Sequence, residues 1–173
     1  RKNDLVFIHS GQHNNYGMSL QFIEELELPK PDYQLRLASR DPVSQTSEMI
    51  SKFHKLFNNI KPDVVCIQGD TNTVLAGGIC ALKNKIPIAH IESGLRSYDW
   101  RMQEEHNRIL VDKISDILYA STKTAVNNLK KDNVHGKIIL SGNTVIDTLE
   151  TNINKAIKKS KISTPKEFVL DRK

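Results

Sequence analysis

The sequence contains little cysteine and no long apolar run. Its two cysteines, Cys66 and Cys80, lie in apolar stretches. They do not form the disulfide framework of a small secreted domain, and we expect a reducing, cytoplasmic setting. No segment approaches the roughly 20 apolar residues that a membrane-spanning helix needs. We therefore expect a globular protein with no membrane partner.

A surplus of positive charge is confined to the end of the chain. The 173 residues include 25 Lys or Arg and 20 Asp or Glu, a formal net charge of +5. Residues 155–173 hold seven basic and two acidic side chains, so their surplus of five equals the net charge of the whole chain. A nucleic-acid-binding protein collects positive charge over a binding surface. A neutral body with a basic tail therefore indicates no nucleic-acid partner.

Short apolar runs alternate with longer segments of helical periodicity. The runs predicted as strands are residues 5–8, 64–67, 86–91, 117–120 and 137–140, with a more exposed strand at 33–37. The segments predicted as helices are residues 43–60, 71–84, 104–114, 122–129 and 144 to about 159. This alternation predicts βαβ units, and therefore an α/β fold with a mostly parallel sheet and helices on both faces.

Polar or small residues follow each predicted strand. They occupy residues 9–13, 68–73, 92–96, 121–122 and 141–144. In parallel α/β sheets, ligands bind outside the carboxyl ends of the strands. We therefore expect the functional site at this edge of the sheet.

Asp70 and Thr71 follow the second run directly, after Gly69. In one interpretation, Asp70 or Thr71 caps the next helix and Gly69 supplies the turn. In the other, the carboxylate and the hydroxyl belong to a binding site. The Gly-rich pattern and the Lys of a P-loop are absent. So are the His-rich motifs that would support a metallophosphatase, and we predict no metal site.

His90 and Glu92 lie at the end of the third run. With the two-residue period of a strand, their side chains would point to the same face. A half-buried carboxylate at this edge either pairs with a cation or has a raised pKa suited to proton transfer. Arg96 is the candidate cation for Glu92.

Glu104 and Glu105 open the next predicted helix. Acidic residues in a first turn complement the helix dipole, which alone could account for them. Glu104, Asn107 and Arg108 nevertheless share one helix face and would present an acid, an amide and a guanidinium together. Arginine suits a phosphate or carboxylate partner. Asp70, Glu92 and Glu104 would then converge from consecutive strand–helix connections.

Five segments, in order, resemble the motifs of the non-hydrolysing UDP-N-acetylglucosamine 2-epimerases. They are residues 10–13, 68–73, 90–96, 104–108 and 141–147. The resemblance covers nearly everything from Leu5 to Leu149. Gln103 departs from the family pattern, which often has Pro there, and the loop after Arg96 is short.

The resemblance implies one lobe of a GT-B enzyme, in which two Rossmann-like lobes enclose the active site. Residues 1–150 would form the N-terminal lobe without its first strand. Residues 151–173 would form a basic linker at the start of the interdomain connection, and the C-terminal lobe would be absent. We expect the full-length protein to be a cytoplasmic homodimer.

The resemblance also implies an isomerase that interconverts UDP-GlcNAc and UDP-ManNAc through elimination and re-addition of UDP. By motif match, Asp70, Glu92 and Glu104 are the acid/base residues. The residues that would bind or shape the UDP-sugar are Gln12, His13, Thr71, Arg96, Glu105, Arg108 and Asn143. No metal and no cofactor is implied.

Two alternatives of other kinds remain open from the sequence. One is a nucleotide-sugar binding or regulatory module, and the other is a lobe of a GT-B glycosyltransferase. A lone epimerase lobe is expected to be inactive, because half of its cleft would be missing.

Overall fold

Strands and helices alternate along the part of the chain that a computed structural model describes, residues 4–12 and 20–163; for residues 20–22, 154–156 and 158–163 only the backbone is described. The strands are β1 (Ile8–His9), β2 (Tyr33–Gln34), β3 (Val65–Gln68), β4 (Ile88–Ser93), β5 (Ile117–Ala120) and β6 (Lys137–Leu140). The helices are α1 (Leu20–Glu25), α2 (Pro42–Ile60), α3 (Asn72–Lys83), α4 (Gln103–Ile114), α5 (Lys123–Lys131) and α6 (Thr144–Ser163). The chain forms two compact units, Arg1–Ser141 and Gly142–Lys173, and the second contains α6.

Every strand pairing within the described residues is parallel. β1 pairs with β2, and β3, β4, β5 and β6 follow one another in a four-stranded sheet. Parallel neighbours need a crossover connection, and α3, α4 and α5 supply the three crossovers of this sheet. The predicted α/β fold is confirmed.

The predicted elements match the structure best in the four-stranded sheet. The strands at 117–120 and 137–140 have the expected bounds. The first strand is displaced: it spans Ile8–His9, because the Phe7 amide donates to a carboxylate oxygen of Asp32 at 2.7 Å and does not pair with a strand. The short helix α1 was not predicted, and α6 continues past 159 to Ser163.

The main core lies where α2 and α3 pack on β3 and β4. Met49, Phe53 and Phe57 form the buried face of α2. α3 packs closely on the sheet because it has glycine at Gly77 and Gly78, where an added Cβ would lie 3.4 Å from Ile67. A second cluster, under α5, consists of Leu118, Ala120, Ala125 and Leu129.

The turn after β4 is held tightly against α5. Gly94 has φ +79, and an added Cβ would lie 2.4 Å from the carbonyl oxygen of Ala125 and 2.7 Å from Leu129. The amide of Asn128 donates to the Gly94 carbonyl at 2.9 Å. This turn therefore has one fixed position at the carboxyl edge of the sheet.

No helix in residues 4–12 and 20–163 is long and apolar enough to cross a membrane.

We predict that Gly94→Ala destabilises the protein more than Gly69→Ala. Both glycines have a left-handed φ, which costs an alanine about 1–2 kcal/mol. An added Cβ at Gly69 has room, at 3.7 Å from Glu92, whereas at Gly94 it would overlap the backbone of α5. Forced overpacking adds about 1–3 kcal/mol. Urea unfolding measures the free energy of each variant, and equal losses would contradict the close contact.

Candidate active site

Arg108 joins the ends of two neighbouring strands. One of its terminal nitrogens donates to the carboxylate of Asp70, which follows β3, and the other donates to the backbone carbonyl of Glu92 in β4. The Arg108 side chain is only 9% exposed, so these bonds are made in a partly desolvated setting. The structure thus brings Asp70 and Glu92 together at the predicted edge, with α4 supplying the connection.

Glu92 has a backbone conformation that side-chain-bearing residues rarely adopt. Its φ is +64, and the pairing of β4 with β5 shifts register between Ile91 and Ser93. A left-handed residue that is not glycine costs about 1–3 kcal/mol. Arg108 holds the Glu92 carbonyl, and the Gly69 amide donates to the carbonyl of Ile91 at 3.1 Å. Neighbouring groups therefore hold this strain in place.

His90 and Glu92 have different environments. His90 pairs in register with Ile67 and is buried, whereas the Glu92 carboxylate accepts a long bond of 3.4 Å from Gln68. The register shift between Ile91 and Ser93 interrupts the two-residue period, so the expectation that His90 and Glu92 share a face stays a prediction. Glu92 is left partly exposed at the sheet edge.

Arg96 does not pair with Glu92, contrary to the sequence-based interpretation. Its guanidinium lies 2.8 Å from a carboxylate oxygen of Asp112 and 2.7 Å from one of Asp132, with 3% of the side chain exposed. Burial alone would lower the pKa of Arg96, but the bonds and charges of Asp132 and Asp112 raise it above its ordinary value. Arg96 therefore anchors the turn after β4 from within.

Asp112 is a site residue that the sequence analysis missed. Its fully buried carboxylate lies 2.8 Å from Nδ1 of His90 and accepts from the Gly94 amide at 3.1 Å, besides pairing with Arg96. The signal was present, since Asp112 follows Arg108 by one helical turn on the inward face of α4. A polar stripe on the buried face of a helix marks a network and not a simple apolar contact.

Glu105 and Glu104 are neighbours in sequence with opposite environments. Glu105 is 3% exposed and accepts bonds from the Ser97 amide at 2.8 Å, the Ser97 hydroxyl at 3.0 Å and the Tyr98 amide at 3.2 Å. Burial alone would raise the pKa of Glu105, but these bonds and the charge of Arg96 bring it below its ordinary value. Glu104 is exposed, and in the described part of the chain it makes no hydrogen bond or ion pair.

The first turn of α3 is hydrogen-bonded by side chains from the segment that follows β1. The side-chain oxygen of Gln12 accepts from the amide and the hydroxyl of Thr73, at 3.0 and 2.7 Å, and the Ser10 hydroxyl lies 2.7 Å from that of Thr73. Thr71 occupies the N-cap position, yet its hydroxyl makes no capping bond. Asp70 is engaged by Arg108. Neither Asp70 nor Thr71 therefore caps α3 with its side chain, and the exposed Thr71 hydroxyl makes no bond to the start of that helix.

Two further predicted site residues are Asn143 and His13. Asn143 belongs to the second unit, where its side-chain oxygen accepts from the Val145 amide at 3.0 Å and caps α6. His13 lies outside the described residues. Among the residues that are described, no three His, Cys, Asp or Glu side chains are grouped to hold a metal ion.

A cavity of about 560 Å³ lies between the first turns of α2, α3 and α4. Its walls include Val43, Ile50 and Leu75, and it reaches Asn107, whose amide donates to the backbone carbonyl of Asp70 at 2.9 Å. None of the three predicted acid/base carboxylates lines it. The cavity therefore adjoins the polar edge at Asn107 but does not contain the predicted acid/base residues.

We predict that Glu105→Gln lowers the free energy of unfolding by about 1–3 kcal/mol at about pH 7, because buried donors lose an acceptor. The lowered pKa of Glu105 means that folding favours its ionised form. This contribution is complete above the ordinary carboxyl pKa and is lost as the pH falls through the lowered value. Urea unfolding over a pH series should therefore show the two proteins converging in acid. A constant difference would contradict the assignment.

Sequence and structure comparisons place this site in a known context. The family model described as UDP-N-acetylglucosamine 2-epimerase matches residues 1–171. A Methanococcus maripaludis protein named UDP-N-acetylglucosamine 2-epimerase is 47% identical over 156 residues, which cover 90% of this chain and 43% of that protein. A Pseudomonas aeruginosa protein named UDP-2,3-diacetamido-2,3-dideoxy-D-glucuronate 2-epimerase is 45% identical over 132 residues, which cover 76% of this chain and 37% of that protein.

The fold matches a solved member of the same group. The crystal structure of Methanocaldococcus jannaschii UDP-GlcNAc 2-epimerase in complex with UDP-GlcNAc and UDP aligns with a TM-score of 0.88 and 44% identity, covering 94% of this chain and 45% of that one. The match confirms the predicted Rossmann-like fold, one lobe of a GT-B enzyme. The chain spans less than half the length of these relatives. The chain belongs to the UDP-N-acetylglucosamine 2-epimerase family.

Proposed function

We propose that the protein containing this chain is a non-hydrolysing 2-epimerase that interconverts UDP-GlcNAc and UDP-ManNAc. The observation that carries the proposal is the convergence of Asp70 and Glu92 on Arg108, in a chain of this family. A C-terminal lobe, outside these residues, would supply the facing half of the cleft. We further propose a cytoplasmic homodimer that needs no metal or cofactor.

The chemistry explains why several carboxylates are needed. The hydrogen at C2 of the sugar is not beside a carbonyl, so its direct removal would be very slow. In the proposed route a base takes the C2 proton, and the C2–H electron pair forms the C1=C2 double bond of 2-acetamidoglucal. The C1–O bond breaks at the same time, and UDP leaves with that electron pair. UDP then adds back to C1 while an acid protonates C2 from the other face. Acid/base groups must therefore lie on both sides of the ring.

The three predicted acid/base carboxylates, Asp70, Glu92 and Glu104, have environments compatible with proton transfer to and from a sugar. Asp70 is oriented by Arg108, whereas Glu92 has one long bond and faces the open edge. Glu104 extends from the first turn of α4, one turn before Arg108 on the same face. We propose that these three side chains transfer protons during elimination and re-addition.

The remaining predicted residues divide into two groups by their contacts. Arg96, Glu105 and Gln12 have polar groups engaged by the protein, and we propose that they shape the site. The exposed Thr71 hydroxyl leaves that side chain able to contact a UDP-sugar, and we propose the same for Arg108 through its shared guanidinium. His13 and Asn143 remain proposed substrate contacts on the motif match alone.

A second substrate is supported by the Pseudomonas aeruginosa relative, whose name specifies a UDP-linked diacetamido glucuronate. Both sugars have an acetamido group at C2, and the same elimination applies to both. The two differ at C3 and in the C6 carboxylate. Assaying both substrates with the same preparation distinguishes them, since the natural one should have the higher kcat/KM.

We predict that the full gene product exchanges solvent deuterium into C2 of UDP-GlcNAc, measured by NMR or mass spectrometry. Asp70→Asn, Glu92→Gln and Glu104→Gln should each slow turnover by about 10²-fold or more, the usual contribution of a positioned acid or base. Asp63→Asn is the matched control, because this exposed carboxylate precedes β3 at the opposite end of the strand from Asp70. Residues 1–173 alone should be inactive. Absence of exchange with either UDP-sugar by the wild-type protein would refute the proposal.

We also predict that Arg108→Lys lowers kcat by about 10²-fold, because one ammonium cannot replace a guanidinium that bonds Asp70 and the Glu92 carbonyl from separate nitrogens. Arg101→Lys is the control, since Arg101 is 91% exposed and, among the described residues, pairs only with Asp99. Steady-state kinetics of both variants provide the measurement. Equal activity of the two would show that the bridge between the strands is dispensable.

A further inference from the structure

His90 is a buried histidine between two hydrogen-bond acceptors. Its Nδ1 lies 2.8 Å from a carboxylate oxygen of Asp112, and its Nε2 lies 2.8 Å from the backbone carbonyl of Gly69. The side chains of His90 and Asp112 are both 0% exposed, so water cannot compete for either contact. The two partners lie on opposite sides of the ring, one on α4 and one in the turn after β3.

This geometry fixes the proton on one ring nitrogen. The Gly69 carbonyl can only accept a hydrogen bond, so Nε2 of His90 carries a proton and donates to it. The Asp112 oxygen next to Nδ1 is a different one from the oxygen that accepts from the Gly94 amide and faces the Arg96 guanidinium. A contact of 2.8 Å between Nδ1 and that oxygen needs one proton between the two groups, whichever of them holds it. The ring is therefore hydrogen-bonded on both sides.

We propose that His90 is a positioning residue that ties the turn carrying Asp70 to α4. The Gly69 carbonyl that it binds belongs to the peptide unit joining Gly69 to Asp70, and Asp112 lies one helical turn beyond Arg108. His90 and Arg108 thus hold the same turn from two points on one helix. This positioning role rests on the proposed epimerase function, whereas the two hydrogen bonds of His90 do not.

The hydrogen bond to Gly69 is tested by ¹⁵N NMR of the full protein labelled at histidine, without substrate. The signal of His90 is identified by its loss in His90→Gln. Nε2 of His90 should carry a proton that exchanges slowly with solvent, because it is buried against the Gly69 carbonyl. An Nε2 without a proton in the wild-type protein would overturn the proposal.

The positioning role is tested with two variants that each keep one bond. His90→Asn places an amide donor near the Nδ1 position, facing Asp112, but does not reach Gly69. His90→Gln reaches Gly69 and leaves Asp112 without that donor. We expect His90→Asn to lower kcat by at least about tenfold with little change in KM, since Asp70 is displaced while the substrate still binds. His90→Gln should retain more of kcat.

His54→Gln is the matched control, since His54 is an exposed residue of α2, and it should leave kcat unchanged. Urea unfolding of each variant separates folding from positioning. A purely structural role would lower the stability of His90→Asn and His90→Gln and leave kcat per folded molecule intact in both. That result would overturn the positioning role. If the wild-type protein has the protected Nε2 proton but no epimerase activity, the proposed function fails and the hydrogen-bond assignment stands. If the protein is active and Nε2 of His90 carries no proton, the proposed function stands and the role of His90 fails.

Discussion

The bridge that Arg108 makes between two strand ends is the constraint on which the candidate site depends. It holds the Asp70 carboxylate and, through a backbone carbonyl, the left-handed conformation of Glu92. Without this bridge the bulge in β4 would have little to offset its strain, and Glu92 would return to the alternation of an ordinary strand. The position of both carboxylates is therefore a property of one side chain on α4.

That helix does more than cover the sheet. Glu105, Arg108 and Asp112 form a buried polar stripe along α4, and each holds a different segment: the loop at Ser97, the ends of β3 and β4, and the turn at Gly94. Buried charges are costly unless they are paired. Each of these three has its partners within the same unit, so the cost is met by a network that also fixes the geometry of the sheet edge.

The sequence predicted the architecture well, because strand–helix alternation and polar strand ends are local patterns. The strands at 117–120 and 137–140 and the edge that gathers Asp70 and Glu92 all followed from such patterns. The error about Arg96 had a tertiary cause. Arg96 pairs with Asp112 and Asp132, which come from other elements, and not with Glu92. No window of local sequence contains those contacts.

Hydrogen-bond accounting separates structural from reactive residues in a way that motifs cannot. The segment 90–96 contains His90, Glu92 and Arg96, and by sequence all three are equally good candidates for chemistry. In the folded chain, His90 and Arg96 have polar atoms bonded within the protein, whereas the Glu92 carboxylate has one long bond at the open edge. A group that accepts and releases a substrate proton needs at least one lone pair that is open to the substrate. The same reasoning distinguishes exposed Glu104 from buried Glu105, although the two are adjacent in sequence.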